Sequence, residues 1–396
     1  VSPLPAAVSR RFDGVIAASS PWLTALPPFL VASAVCIAVV PASMWFARRT
    51  GAVAEPDGDR HLHAQPTPRL GGIAMFAGFA IAVAIFGSAV PDRWQVIAVT
   101  GAITVAMAID DILDLSWRSK LAIEVGVGIV TVLLGITITS IAVPGSHATS
   151  VWDLMWLAAP ITVVWLVGMQ VSVNLLDGAD GVAAGVIAIV AGVCLLAAIN
   201  RLGTSGDVQG GVLILSGALM GCCIGFLVFN LPPARVFMGD SGSHFLGVAL
   251  AVITILGVAK IVVGLSILVP LITLGLPIGD TAFAIVRRSL SGRNPAAPDA
   301  GHLHHRLRAV GMTPIETAFT FYLVTGILGC IALTIYGHRR IILIALGLLV
   351  VALIVLIWRN RRRVPRLPFV AIEEREVQVD GRRVLPTHIH HRGEAD

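Results

Sequence analysis

The chain has 396 residues, 56% of them hydrophobic and 13% charged, with a formal net charge of +5 and a mean hydropathy of +0.87. A soluble domain carries about 25% charged residues, so this composition excludes a water-soluble globular protein. It indicates an all-α, polytopic integral membrane protein, and nothing in it calls for a nucleic-acid partner.

A helix needs about 20 apolar residues to cross the hydrocarbon core, and open sheet edges are not tolerated there. Eleven candidate spans follow in chain order: 23–47, 71–90, 94–110, 121–143, 151–172, 181–200, 210–229, 243–259, 261–286, 316–336 and 340–358. Only Lys260 separates the eighth from the ninth. Residues 1–22 precede them, carry Arg10 and Arg11, and show no small-residue cleavage site of a signal peptide. Residues 23–358 form the transmembrane domain and 359–396 a polar tail. Cys36, Cys194, Cys222, Cys223 and Cys330 all fall in apolar runs. They read as small packing residues rather than a disulfide or zinc framework.

Basic residues set the orientation. The stretches 48–70, 111–120, 173–180, 230–242 and 287–315, with the tail from Arg359, hold 21 of the 28 Lys and Arg residues. Those stretches are therefore expected in the cytoplasm, with the amino terminus outside and the carboxyl terminus inside. Arg339 and Arg340 fall on the wrong side of this rule. The acids follow the same asymmetry: Asp110, Asp111, Asp114, Asp177, Asp180, Asp240, Asp280 and Asp299 all lie at the expected cytoplasmic ends or loops. That makes the cytoplasmic face the working face.

The first loop, His61-Leu-His-Ala-Gln-Pro-Thr-Pro-Arg-Leu-Gly-Gly72, is basic and leads into the second span. Arg69 suits either a phosphate contact or the charge rule alone. The third span ends in Asp110-Asp111-x-x-Asp114. A carboxylate deep in the bilayer costs about 2.5–3.5 kcal/mol, and adjacent carboxylates repel. A divalent cation relieves both costs, and oxygen-only ligands suit Mg²⁺ or Mn²⁺. The plainer reading pairs Asp114 with Arg118 and uses Asp110 to cap a loop.

Between the fifth and sixth spans, Asn174, Asp177 and Asp180 recur every third residue around two Asp-Gly steps. They form either one functional face or an ordinary turn with capping acids. After the seventh span comes Phe229-Asn-Leu-Pro-Pro-Ala-Arg-Val-Phe-Met-Gly-Asp-Ser-Gly-Ser243. Here Ser241-Gly-Ser243 is expected to open a helix whose free amides bind phosphate. Asp240 beside that cradle implies a bridging metal, and Phe237 either stacks on a nucleobase or simply packs. After Arg287 and Arg288, the segment Asp299-Ala-Gly-His-Leu-His-His-Arg-Leu-Arg308 gathers His302, His304, His305 and Arg306. These suit a pyrophosphate; zinc and a plain basic loop are the competing readings. In the tail, the basic cluster at 359–363 suits anionic lipid headgroups. Residues 377–385 form either a small hairpin around Asp380-Gly381 or a disordered segment.

Taken in order, Pro68-Arg-Leu-Gly-Gly72, Asp110-Asp-x-x-Asp-Leu115, Asn174-x-x-Asp-Gly-x-Asp-Gly181, Phe229-Asn-x-x-Pro-Ala234, Phe237-Met-Gly-Asp-Ser-Gly-Ser243 and His302-x-His-His-Arg-Leu307 resemble the motifs of the polyprenyl-phosphate N-acetylhexosamine-1-phosphate transferases. The first and last are similar to those of the GlcNAc-1-phosphate branch. The muramoyl-pentapeptide branch typically carries Pro-Thr-Met-Gly-Gly instead.

The resemblance implies that residues 23–358 are a catalytic domain. It would transfer GlcNAc-1-phosphate from UDP-GlcNAc to an undecaprenyl or decaprenyl phosphate at the bacterial inner membrane, releasing UMP. It implies Mg²⁺, with Mn²⁺ as substitute, held by Asp111 and Asp240. Asp110 would orient or deprotonate the lipid phosphate, with a covalent phospho-aspartate as the alternative. His302, His304, His305 and Arg306 would grip the diphosphate, with Arg69 on phosphate. Asn174, Asp177, Asp180, Asn230 and Phe237 would shape the nucleotide side. Related enzymes are often homodimers. The alternatives are the same chemistry on another UDP-sugar, including the muramoyl-pentapeptide, and a cation- or proton-coupled transporter. A transporter would spread its acids through the membrane depth.

Overall fold

The computed structural model describes residues 21–54, 66–90, 92–142, 151–199, 207–258, 311–334, 339–363, 377–379 and 382–384, with the single residues 275, 279 and 307. The α-helices are α1 (Pro21–Thr50), α2 (Gly71–Phe86), α3 (Arg93–Leu113), α4 (Trp117–Leu133), α5 (Ala158–Leu176), α6 (Val182–Ile199), α7 (Asp207–Asn230), α8 (Gly239–Val258), α9 (Pro314–Thr334) and α10 (Arg339–Arg363). Among the described residues, eight segments are long and apolar enough to cross a membrane. They answer to eight of the eleven expected spans, and the protein is a multi-span helical membrane protein.

The other three differ for separate reasons. The fourth expected span, 121–143, is cut short. Helix α4 has 17 residues and stops at Leu133, and Gly135 follows with φ of 90°. At 1.5 Å per residue a helix of that length spans about 25 Å, the short end of the range for a membrane span; because α3 and α5 both finish at the end where α4 starts, α4 carries the chain to the opposite end of the bundle. The apolar run then continues as strand β3 (Ser140–Ala142), paired antiparallel with β4 (Val151–Asp153). The fifth helix consequently starts at Ala158 rather than 151. The ninth span, 261–286, lies outside the described residues. The eleventh lies within α10, where the run Ala345–Ile357 is apolar but short.

Two other ribbons complete the described structure, so the all-α expectation holds for the body and not for its edges. Val53–Ala54 pairs antiparallel with Thr67–Pro68. In the tail, Val377–Val379 pairs with Arg382–Val384, which favours the hairpin over the disordered alternative.

Helices α7 and α8 form the centre of the bundle. In α8, 83% of the membrane window is buried, against 28% in α1. Helix α1 lies along α7 through a stripe of small residues. A Cβ on Gly217, Gly221 or Gly225 would collide with the Ala25, Phe29 or Ser33 carbonyl oxygen. Close backbone approach of this kind replaces the hydrophobic drive that lipid cannot supply between helices. Ser33 adds a hydroxyl bond to the Gly221 carbonyl at 2.8 Å. On the other flank α8 packs against α2, α3 and α5, and Phe245 meets the edges of Phe76 and Phe79. Asp240, in the first turn of α8, thus stands at the middle of the bundle's end.

Candidate active site

The polar motifs converge because each sits where a helix meets a loop at the same end of the bundle. Helix α3 ends at Leu113, and Asp114 takes a left-handed conformation as its C-cap, with φ of 52°. One turn back, Asp110 accepts the freed Leu115 amide on Oδ1 at 2.8 Å. This is the loop-capping role of the plainer reading. Its second oxygen faces the cluster. Asp114 itself is exposed at the surface.

Asp111 points at the start of α8. Its Oδ1 accepts the Asp240 amide at 2.9 Å and its Oδ2 accepts the Ser241 amide at 3.0 Å. A helix start offers free amides and a partial positive charge. The expected phosphate cradle therefore already holds an anion, and that anion is Asp111. Gly239 makes the approach possible. Its φ is 71°, and a Cβ there would strike the Arg69 carbonyl oxygen and the Asp111 carboxylate. The start of α2 is filled in a similar way. Gly71 and Gly72 donate to the Phe237 and Met238 carbonyls at 3.0 and 2.9 Å, while Phe237 donates to Pro68 at 2.8 Å. Arg69 donates from Nη2 to the Asp111 backbone carbonyl at 3.3 Å, and its buried Nε has no partner among the described residues.

Asp110 and Asp240 share a cation. Lys120 Nζ, from the first turn of α4, lies 2.8 Å from Asp110 Oδ2 and 2.6 Å from Asp240 Oδ2. The cap Ser116, whose side chain accepts the Ser119 amide, starts that helix at the right level. On its other oxygen, Asp240 accepts a hydrogen bond from Asn174 Nδ2 at 2.8 Å; the same nitrogen donates to Ser243 Oγ at 3.1 Å.

The Asp-Gly turn after α5 is tied to the loop after α7. Asp180 accepts the Ala234 amide at 3.0 Å. Asn230 accepts the Gly181 amide on Oδ1 and donates from Nδ2 to the Val236 carbonyl at 2.8 Å. Both ends of the buried Asn230 amide are thereby engaged within the protein, where the sequence suggested a nucleotide contact. Burial, then the charges of Asp240, Asp111 and Asp180, push the Asp177 carboxyl well above the ordinary aspartate range. Phe237 is half-buried beside this loop. His302, His304, His305 and Arg306 lie outside the described residues. Leu307, next in sequence, packs against the main core.

Among the described residues, no three carboxylate, imidazole or thiol groups form a finished metal site. The donor set still fits a hard cation. Asp110 and Asp240 aim oxygens at one point, and a positive charge, the Lys120 ammonium, lies at it. The position between them is built for a cation, whereas both Asp111 oxygens are occupied by backbone amides.

Sequence reasoning missed two groups: Lys120 and His244, the partner of Glu124. His244 Nε2 meets Glu124 Oε1 at 2.9 Å in the bundle interior. The available signals were slight. Lys120 is one of two lysines in an arginine-rich chain, and Glu124 is an acid inside an apolar run.

A helical membrane protein that closes an acid cluster around one cation at a bundle end has the features of an enzyme site rather than of an inert scaffold. Comparison with known proteins gives the family. The model described as glycosyl transferase family 4 matches residues 93–258. "Probable undecaprenyl-phosphate N-acetylglucosaminyl 1-phosphate transferase" of Bacillus subtilis (strain 168) is 38% identical over 299 residues, covering 75% of this chain and 80% of the relative. The decaprenyl-phosphate N-acetylglucosaminephosphotransferase of Mycolicibacterium smegmatis is 34% identical, over 71% and 74% of the two chains. The phospho-N-acetylmuramoyl-pentapeptide-transferase of Moorella thermoacetica is 29% identical over 79% of this chain and 100% of the relative. The chain belongs to glycosyl transferase family 4.

Proposed function

We propose that the protein transfers GlcNAc-1-phosphate from UDP-GlcNAc to a polyprenyl phosphate, releasing UMP and leaving polyprenyl-diphospho-GlcNAc in the bacterial inner membrane. One observation carries the reading: Asp110 and Asp240, from distant parts of the chain, share a single cation position at a helix-end surface. The names of the relatives supply the substrate class. The basic-residue asymmetry supports a cytoplasmic site, an outside amino terminus and a cytoplasmic carboxyl terminus.

A phosphate oxygen of the lipid attacks the phosphorus that bears the sugar. The bond from that phosphorus to the bridging oxygen breaks, and UMP leaves with the electron pair. Nucleophile, diphosphate and leaving group are all anionic, so the residues act mainly by position and charge. Asp240 and Asp110 would hold Mg²⁺ or Mn²⁺, which when bound offsets the charge on the transferring phosphates. Lys120 stays beside those phosphates as a second positive group. Asp111 fixes the depth of α8, and Asn174 orients Asp240. Arg69, His302, His304, His305 and Arg306 bind the diphosphate, while Asp177, Asp180 and Phe237 border the nucleotide. Asn230 holds the loop that carries Phe237.

A transporter finds no support. Among the described residues the acids of the motifs gather at one bundle end, Asp92, Asp153 and Asp207 lie at the other, and the deeper Glu124 is paired with His244. The test is UMP release by purified protein given polyprenyl phosphate and a single nucleotide sugar, with Mg²⁺ or with EDTA. UDP-GlcNAc should be turned over and EDTA should stop it. Preference for the muramoyl-pentapeptide nucleotide would move the protein to that branch.

A further inference from the structure

Helix α4 meets α8 through side chains one turn apart on each helix. Lys120 and Glu124 are four residues apart on α4; Asp240 and His244 are four apart on α8. Lys120 meets Asp240 at 2.6 Å and Glu124 meets His244 at 2.9 Å. Both helices begin at the site end, so these are two rungs of one ladder, the second a turn deeper. The rungs alternate in sign, with a cation on α4 above and an anion below. A slip of one turn would set Glu124 against Asp240, like against like, or take Lys120 away from the Asp240 carboxylate. The ladder therefore admits one register.

The rungs differ in burial. Lys120 and Asp240 keep 26% of their side-chain surface exposed, whereas His244 and Glu124 keep 2% and 7%. His244 also donates from Nδ1 to the Asp240 backbone carbonyl at 2.8 Å, so the proton that joins Nε2 to Oε1 links Glu124 to the residue bearing the site carboxylate. Glu124 Oε2 is buried with no partner among the described residues. Two polar residues buried in a bilayer are costly unless joined, and the chemistry described above uses neither.

We propose that Glu124 and His244 are positioning residues: their bond holds α4 in register on α8, so that the Lys120 ammonium stays level with Asp110 and Asp240. The upper rung must open whenever a metal ion or a phosphate competes for its carboxylates. The lower rung cannot be reached by either, and it keeps Lys120 beside the site during that exchange. This rests on the site performing phosphosugar transfer, but not on which sugar nucleotide is used.

The test uses the full chain in lipid nanodiscs, normalised to folded protein by size-exclusion, with whichever UDP-sugar the wild type accepts. Failure of the wild type on UDP-GlcNAc alone would sink the substrate reading and leave this one standing. Glu124→Leu should lower kcat about 10²-fold, the scale of an ångström's misplacement of a catalytic group, with the nucleotide KM unchanged. Glu124→Gln, whose amide can donate to Nε2, should restore kcat to within about three-fold of wild type. Where Glu124→Leu does not accumulate, Glu124→Ser breaks the same rung. Wild-type kcat in the Leu or Ser variant would overturn the proposal. So would a Gln variant as impaired as these, or a loss appearing in KM rather than kcat.

Discussion

At the junction of α3 with α8, Asp111 is fastened by two backbone amides, whereas across the junction of α4 with α8 Asp240 is held by a lysine on a flexible stem. Opening the first leaves two backbone amides at the start of α8 without their acceptor. The second can open by rotation of one side chain. Neighbouring carboxylates have thus been given opposite tasks by the groups that face them. Asp111 serves as a built-in anion that sets where α8 begins. Asp110 and Asp240 surround the Lys120 ammonium, which the proposed mechanism exchanges for a metal ion.

Breaking the exchangeable side should have the largest effect. Asp240→Asn and Asp110→Asn should each lower transfer by about 10³-fold or more, roughly 4 kcal/mol of transition-state stabilisation. Protein yield and elution volume should be unchanged. Lys120→Met should follow with about a 10²-fold fall in kcat, the scale of losing one preorganised charge partner, again in folded protein. On the fixed side the loss should fall on stability instead. In Asp111→Asn an NH₂ group would face a backbone N–H, leaving a buried donor unpaired at about 1–3 kcal/mol. Its apparent Tm should drop in detergent, and activity should fall with the folded fraction.

The smallest effect concerns Asp177. Its folded pKa is raised, so the folded chain binds more protons than the unfolded chain above the ordinary aspartate value of about 3.9. That contribution to stability is lost as pH rises through the raised value. In EDTA, the Tm of the wild type should therefore decline more steeply than that of Asp177→Asn as pH rises above the ordinary aspartate value. Parallel curves would show that neither burial nor the neighbouring acids raise the Asp177 carboxyl.

The separate motifs were legible because each one lies at a helix end and is punctuated by Gly or Pro: Gly71-Gly72, the Asp-Gly steps at 177–181, and Gly239. Helix ends carry unpaired backbone groups, so local sequence must record how they are satisfied. What faces what was less legible. Asp111 and Asp240 are both expected as metal ligands, and nothing local in the sequence tells that Asp111 also accepts two backbone amides while Asp240 meets Lys120. Asn230 read as a nucleotide contact, although its amide ties two loops together. The Glu124–His244 pair depends on the register of two helices that are remote in sequence, and no local pattern encodes that register. The end of the fourth span falls ten residues short of the expected 143, because hydropathy is blind to the break after Leu133, where the apolar run leaves the helix for a strand pair.

The central claim is that Asp110 and Asp240 flank one cation position, filled by Lys120 when no metal is bound. Mn²⁺ titration followed by electron paramagnetic resonance measures this without any substrate. Mn²⁺ should bind more tightly to Lys120→Met than to wild type, and the bound signal should be lost in Asp240→Asn. Equal affinity in wild type and Lys120→Met, or undiminished binding in Asp240→Asn, would contradict it.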